Sequence, residues 1–215
     1  MRQLDATTSQ FTEQLDALLA WDLSVDSAID TQVSDIIKRV RTHGDEELLA
    51  LTRQFDRVDA AELSELEIGQ DELASAWAAL HSDAQQALQT AADRIRRFHE
   101  RQREESWSYV DELGCELGQK IQPLDRVGVY VPGGRAAYPS SVLMTLIPAK
   151  VAGVKDVVVV SPTPGGERNA MVLAALHLAG ADRVFAVGGA QAVAALAYGT
   201  QSVPRVDKIV GPGNA

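Results

Sequence analysis

Short apolar runs alternate with longer helix-like segments in the second half of the chain. The runs begin at Val127, Asp156, Arg183 and Asp207, and each ends at Gly, Pro or Ser. Their starts are separated by 29, 27 and 24 residues, the length of a strand followed by a crossover helix. The runs are nearly continuous in apolar residues, which is typical of parallel strands covered on both faces. The pattern predicts a parallel α/β sheet over residues 126–215.

The residues before this sheet follow a helical period instead. Apolar side chains recur every three or four residues in segments 27–41, 70–80 and 82–103. Asp45 is expected to cap a further helix, and Ser82 to open a capping box. The first part of the chain is therefore predicted to be helical and to pack on the sheet or on a partner subunit.

The sequence also predicts two local features, a short strand in the helical part and a kink in a helix of the sheet region. The polar stretch between two predicted helices could contain a short strand at Glu65–Ile68. Pro148 lies inside the helix predicted after the first strand of the sheet. Because proline lacks an N–H and its ring crowds the preceding turn, it should kink that helix or divide it in two.

The period changes again between the helices and the sheet. Residues 107–122 predict two short antiparallel strands that turn near Gly114. We therefore expect a helical region at residues 1–105, a short β connection at 106–125 and the sheet region at 126–215. The last strand is not followed by a crossover helix, so this region is expected to be truncated at its C-terminal end. The alternative is a natural edge strand with a frayed tail.

Three glycine-rich loops follow strands of the predicted sheet: Pro132-Gly-Gly134, Gly188-Gly-Ala-Gln191 and Gly211-Pro-Gly-Asn214. Because the carboxyl ends of parallel strands meet at one edge, these loops should lie together, where ligands bind in such folds. Glycine lets backbone N–H groups approach a ligand closely, and a helix that begins there favours an anion. The loops predict a nucleotide or phosphate site, although each glycine could also serve only a tight turn.

The polar side chains at this edge suit binding better than proton transfer. Tyr130 could stack on a ring or form a hydrogen bond with it, and the amides of Gln191 and Asn214 offer donors and an acceptor. No G-x-G-x-x-G fingerprint, Walker loop, G-x-S-x-G elbow or His-Glu-x-x-His motif occurs in the sequence. The other polar residues of the edge are Arg135, Ser140 and Ser141, and the histidines lie outside it, at positions 43, 81, 99 and 177.

The composition of the chain excludes several classes of binding partner and of covalent or metal-bound structure. A formal charge of −10 argues against general binding to nucleic acid or to an anionic membrane surface. No apolar run reaches transmembrane length, and the N-terminus lacks the apolar core of a signal peptide. A single cysteine, Cys115, excludes an internal disulfide and a cysteine-based metal cluster. We expect a cytoplasmic protein that binds neither nucleic acid nor membranes.

Several motifs resemble the histidinol dehydrogenase family. They are Val-Gly-Val-Tyr-Val-Pro-Gly-Gly at 127–134, Val-Gly-Gly-Ala-Gln-Ala at 187–192 and Val-Asp-Lys-Ile-Val-Gly-Pro-Gly-Asn-Ala at 206–215. Gly44-Asp-Glu-Glu-Leu with Phe55-Asp56 is similar to the N-terminal region of the same family. The resemblance covers essentially the whole chain, but only about the N-terminal half of a family member.

The resemblance implies parallel, Rossmann-like βα units that lack the usual fingerprint. It also implies a zinc-dependent homodimer that oxidises L-histidinol through L-histidinaldehyde to L-histidine and reduces NAD at each step. By motif, Tyr130, Gln191 and Asn214 match the family's NAD-contacting positions. The family's zinc ligands, Glu-His acid/base pair and substrate contacts fall beyond residue 215, so this chain alone is expected to be inactive. Two alternatives stay open: a catalytically inactive nucleotide-binding module, and an enzyme of another class such as a phosphosugar isomerase.

Overall fold

The structure is a computed structural model that describes residues 4–19, 27–133 and 138–212. The chain divides into two compact units, Met1–Asp35 and Ile36–Ala215. The first unit contains helix α1 and the first part of helix α2, and the second contains every other element described below. The division expected from the sequence at residues 105 and 125 stays a prediction.

The helical period of the first half of the chain produces five α-helices among the described residues. They are α1 (Phe11–Leu19), α2 (Ser27–His43), α3 (Asp45–Asp56), α4 (Gln70–Ala79) and α5 (Ser82–Glu100). The turn between α2 and α3 is at Gly44, whose φ of 60° is accessible to glycine without strain. Within the described part of the chain, no helix is both long and apolar enough to cross a bilayer.

Both predicted helix caps are wrong in detail. Gly44 occupies the cap position of α3, and the Asp45 carboxylate instead accepts hydrogen bonds from Ser202, at 3.2 Å from its backbone N and 2.5 Å from its hydroxyl. His81 caps α5 by accepting a hydrogen bond from the Asp83 backbone N–H, so Ser82 is the first helical residue. The Asp45 carboxylate does not cap the helix because it binds Ser202, which is distant in sequence. Ser82 does not cap the next helix because the His81 side chain accepts from the free N–H of Asp83.

The strand expected at Glu65–Ile68 is also wrong, because Leu63–Leu66 forms a 3₁₀ turn. Only Glu67 makes a β-bridge, to Phe185. The flanking backbone groups bond to the same strand, since the Ile68 N–H donates to the Val184 carbonyl at 2.8 Å. The segment therefore covers an edge of the sheet that would otherwise present unpaired N–H and C=O groups.

A four-stranded parallel sheet forms the centre of the second unit, as the spacing of the apolar runs predicts. Its strands run in the order β5-β4-β3-β6, and β4 is buried along almost its whole length. The strands are β3 (Arg126–Tyr130), β4 (Asp156–Val160), β5 (Arg183–Phe185) and β6 (Lys208–Val210). The helices between them are α6 (Pro139–Ala152), α7 (Ala170–Ala179) and α8 (Gly189–Tyr198).

The connecting helices cover both faces of this sheet. Right-handed crossovers place α6 and α7 on one face and α8 on the other. Gly128 of β3 faces α8, because a Cβ added there would lie 3.0 Å from Leu196. Outside this layer, α4 packs on α7, α5 packs on α6, and α3 packs on α8. The helical region therefore contacts the helices that flank the sheet.

The antiparallel hairpin is present where the change of period predicts it. Strands β1 (Trp107–Val110) and β2 (Glu116–Gln119) pair in antiparallel register, with Gly114 at φ 81° in the turn. All eight strand residues are exposed. The hairpin thus forms a sheet separate from the four parallel strands.

Helix α6 is not divided at Pro148, contrary to one expectation, because a single helix runs from Pro139 to Ala152. A proline at this position leaves the carbonyl of Met144, four residues earlier, without its usual partner. Met144 is 64% exposed, so water can satisfy this carbonyl. The cost of the proline is therefore small enough for the helix to continue.

The same helix provides a test of the core. Leu146 is fully buried, so we expect Leu146→Ala to lower the free energy of unfolding by about 2–5 kcal/mol through lost burial and a residual cavity. Met144→Ala removes a side chain of similar size from the exposed face of the helix and should change the free energy of unfolding by less than about 0.5 kcal/mol. Urea unfolding of both variants measures the difference. Equal losses would contradict the placement of α6.

Candidate functional site

The strand order creates a crevice beside β3. The chain leaves β3 through α6 and α7 towards β4 and β5, whereas β6 lies on the opposite side of β3. The direction of the crossovers therefore reverses between β3 and β6. Ligands of open α/β sheets bind at such a switch point, outside the carboxyl ends of the strands.

The glycine-rich loops converge at this edge through very close backbone contacts. A Cβ added to Gly133 would overlap the carbonyl oxygen of Pro162, and one added to Gly188 would overlap the Pro162 ring. On the other side of β3, a Cβ on Gly211 would overlap the carbonyl oxygen of Tyr130. Glycine is therefore required at these positions by contact between loops.

A cleft of about 680 Å³ opens at the crevice. It is bounded by the end of β3, the start of α6, the start of α8 and the end of β6. Its lining residues are Tyr130, Pro132, Gly133, Tyr138, Ser141, Pro162, Gly189, Ala190, Val193, Ile209, Gly211 and Pro212. The volume and the mainly apolar lining with a few polar groups are typical of a small-molecule or cofactor site.

Tyr130, the last residue of β3, lines this cleft and contacts the turn before α8. Its hydroxyl oxygen accepts a hydrogen bond of 3.2 Å from the backbone N–H of Gly189. Gly189 has a φ of 64°, which places this residue in a conformation that side chains disfavour. The tyrosine and the first turn of α8 are thereby held side by side in the cleft wall.

Gln191 lies in the same first turn of α8 and is only 1% exposed. Its Oε1 atom would lie 2.6 Å from a Cβ added to Gly189, so the side-chain amide folds back towards that turn. Its Nε2 atom has no hydrogen-bond partner among the described residues. A buried amide donor without an acceptor costs free energy, which indicates that a ligand or water accepts from it.

Asp56, at the end of α3, is a buried acid beneath the same turn. Burial raises the pKa of its carboxyl above the ordinary value, and the neighbouring Gly188 backbone N–H opposes this rise. Its Oδ2 atom has no partner in the described part of the chain. Sequence analysis placed Asp56 only within a family motif, and nothing in its local pattern pointed to the turn before α8.

The residues predicted at the edge lie in different places. Tyr130 and Ser141 line the cleft. Gln191 is buried beside Gly189 and is not part of the lining, and Ser140 is exposed and is not part of it either. Asn214 and Arg135 lie outside the described residues. Sequence analysis missed the apolar and aromatic lining residues Tyr138, Val193 and Ile209. Their only signal was a position just after or before a predicted strand end, which many core residues share.

Groups for proton transfer or metal binding are not assembled here. None of the four histidines lines the cleft. Across residues 4–19, 27–133 and 138–212, no group of three or more His, Cys, Asp and Glu side chains could hold a metal ion. A second cleft, of about 420 Å³, lies between the end of α5 and α6 and is lined by His99, Arg103 and Glu104 among others. It is remote from the strand ends, so the crevice beside β3 is the better candidate.

The close contact at Pro162 can be tested directly. We expect Gly133→Ala to lower the free energy of unfolding by about 1–3 kcal/mol, because the loop or the Pro162 carbonyl must move. Gly69→Ala is the matched control: nothing lies within 4 Å of a Cβ added there, and its cost should stay below about 1 kcal/mol. Thermal unfolding of both variants gives the comparison, and an equally mild Gly133→Ala would contradict the loop contact.

Almost the whole chain is similar to known proteins of one family. The family model described as histidinol dehydrogenase matches residues 22–215. A histidinol dehydrogenase of Aromatoleum aromaticum is 58% identical over 215 residues, covering all of this chain and 49% of that protein. One of Nitrosomonas europaea is 56% identical over 215 residues, covering all of this chain and 50% of that protein.

A solved structure has the same fold. The crystal structure of histidinol dehydrogenase from Elizabethkingia anophelis matches with a TM-score of 0.80 and 31% identity, over 86% of this chain and 42% of that chain. This chain spans about half the length of the curated relatives that it matches. Since the family model matches nearly the whole sequence, the chain belongs to the histidinol dehydrogenase family.

Proposed function

We propose that this chain is the NAD-binding N-terminal part of a histidinol dehydrogenase. The whole protein would oxidise L-histidinol through L-histidinaldehyde to L-histidine, as its family membership suggests. The observation that carries the proposal is the cleft at the switch point, where Tyr130 and the first turn of α8 meet. NAD, when bound, accepts the hydride that each oxidation step releases.

The residues around the cleft fit a dinucleotide. The first turn of α8, at Gly189 and Ala190, lines the cleft, and the N-terminus of a helix favours a phosphate. The ring of Tyr130 offers a surface for stacking, and the unpartnered Nε2 of Gln191 can donate to a ligand carbonyl or hydroxyl. Asn214, carried over by motif, would supply a second amide from the loop after β6.

Chemistry beyond cofactor binding needs groups that the described residues do not bring together. The described residues contain no group of three or more His, Cys, Asp and Glu side chains that could hold zinc. We propose that zinc, the acid/base pair and the substrate contacts belong to the part of the relatives' length that this chain does not span. The chain alone would then bind NAD without oxidising histidinol.

Family membership also suggests an oligomeric state and a cellular location for the whole protein. We propose a homodimer in the cytoplasm that binds neither nucleic acid nor membranes. The formal charge of −10 supports the exclusion of nucleic acid, since phosphate contacts need a basic surface. We also propose that the helical region at 1–105 and the β connection at 106–125 support the NAD-binding region at 126–215.

One observation favours a second candidate, a nucleotide-binding module without catalysis. The described residues that line the cleft include the start of α8 and two tyrosines, but no candidate acid/base pair. Such a module would bind NAD as strongly as the enzyme does and would never reduce it. Both candidate functions therefore predict NAD binding, but only the enzyme is expected to reduce NAD.

Turnover by the full-length protein tests the proposed enzyme. We expect histidinol-dependent formation of NADH, measured by absorbance, and loss of this activity after a chelator removes the metal, because the family is zinc-dependent. Zinc added back should restore the activity. NAD binding without NADH formation in the zinc-loaded protein would favour the non-catalytic module, and full activity after exhaustive metal removal would contradict the zinc requirement.

Binding of NAD tests the assigned residues. We expect Gln191→Ala and Asn214→Ala each to raise the Kd for NAD about tenfold, the effect of losing one good hydrogen bond in a buried site. Gln89→Ala removes the same side chain from an exposed position on α5 and should leave the Kd unchanged. Isothermal titration calorimetry of the full-length protein gives these values. An unchanged Kd in both test variants would remove the assignment.

A further inference from the structure

The loop that follows β4, residues 161–169, forms part of the cleft wall through Pro162. The carbonyl oxygen of this proline lies so close to Gly133, and its ring so close to Gly188, that no Cβ fits at either glycine. The loop after β3 and the turn before α8 therefore both rest on Pro162. A shift of this proline moves both neighbours, because closely packed groups transmit strain.

The loop is not packed solidly against the layer beneath it. A cavity of about 40 Å³ lies between the loop, the first turns of α7 and the edge residues Ile68 and Val184. A space of this size can hold a water molecule, and the groups that line it lack packing partners on that side. The loop therefore has room to move, and its position depends on how its two ends are attached.

The two ends of the loop are attached in different ways. At the first end, the Ser161 N–H donates to the Phe185 carbonyl at 3.0 Å. At the second end, Nη1 of Arg168 lies 2.5 Å from Oε2 of Glu72 in α4, and its Nη2 donates to the Glu65 carbonyl at 3.3 Å. The Arg168 side chain is 29% exposed, so water and salt screen this ion pair only in part. One guanidinium thus links the loop to α4 and to the 3₁₀ turn of the helical region.

We propose that Arg168 is a positioning residue for the cofactor: it holds the loop after β4 so that Pro162 keeps the two neighbouring glycine-rich loops in place. The inference rests on the proposed NAD site and adds to it a residue outside the cleft lining. Arg168 acts through Pro162. Without Arg168 the loop is less ordered, so NAD binding must order it at a cost in affinity.

The chain offers a conservative variant and a matched control. Arg168→Ala removes the attachment, whereas Arg168→Lys keeps a flexible ammonium that can still pair with the Glu72 carboxylate. Lys150→Ala is the control, because Lys150 forms an ion pair of the same length, 2.5 Å, with Asp182. Asp182 directly precedes β5, so this pair lies at the opposite edge of the sheet, and neither partner lines the cleft.

The first measurement is the Kd for NAD of the full-length protein by isothermal titration calorimetry. We expect Arg168→Ala to raise the Kd about fivefold, and Arg168→Lys to stay within about twofold of the wild type. Lys150→Ala should leave the Kd unchanged, since its ion pair is remote from the loop. A wild-type Kd in a folded Arg168→Ala variant, an equal rise in Lys150→Ala, or no rescue by lysine would overturn the proposal.

The second measurement is amide hydrogen exchange in the loop without NAD, which does not depend on the proposed function. The Gly166 N–H donates to the Thr163 carbonyl at 2.8 Å, so its exchange rate reports opening of the loop. We expect Arg168→Ala, but not Lys150→Ala, to speed exchange at Gly166 by about tenfold. Unchanged exchange would show that Arg168 does not hold the loop and would overturn the inference. Faster exchange in Arg168→Ala, together with a wild-type protein that binds no NAD, would instead reject the proposed cofactor site and leave the attachment of the loop standing.

Discussion

The close approach of backbones around Pro162 is the constraint on which the site depends. The loop after β3 and the turn before α8 both contact this residue so tightly that only glycine fits at Gly133 and Gly188. Pro162 itself follows β4, so the three loops after β3, β4 and β5 form one packed layer above the sheet. Parallel strands make this possible, because only then do all three loops leave the sheet at the same edge.

The N-terminal helices extend this layer from outside the sheet. Helix α3 packs on α8, and the carboxylate of Asp45, at the start of α3, accepts hydrogen bonds from Ser202, just beyond the end of α8. Position and orientation of α8 relative to Tyr130 therefore depend on residues far from the cleft in sequence. This explains why a chain whose cleft is formed after residue 126 carries a helical region before it.

The distribution of polar groups separates binding from chemistry. The start of α8 and Tyr130 line the cleft, and the buried amide of Gln191 lies in the same turn of α8, an arrangement that fits the proposed dinucleotide. In the described residues, several titratable groups lie in ion pairs away from the cleft, such as Arg183 with Glu67 and Lys150 with Asp182. This chain spans about half the length of its relatives. We propose that the cofactor site and the catalytic groups lie in different parts of the whole protein.

The amino-acid sequence by itself determined the elements that depend on local period and backbone freedom. The four parallel strands begin within one residue of the positions predicted at Val127, Asp156, Arg183 and Asp207, and the hairpin turns at Gly114, because apolar spacing and glycine act over a few residues. Tertiary structure alone decided the strand order and the use of Asp45 as a tertiary acceptor. These features depend on groups that are distant in sequence, so no local pattern encodes them. Asp45 does not cap α3 because the folded chain brings a hydrogen-bond donor from a distant segment to its carboxylate.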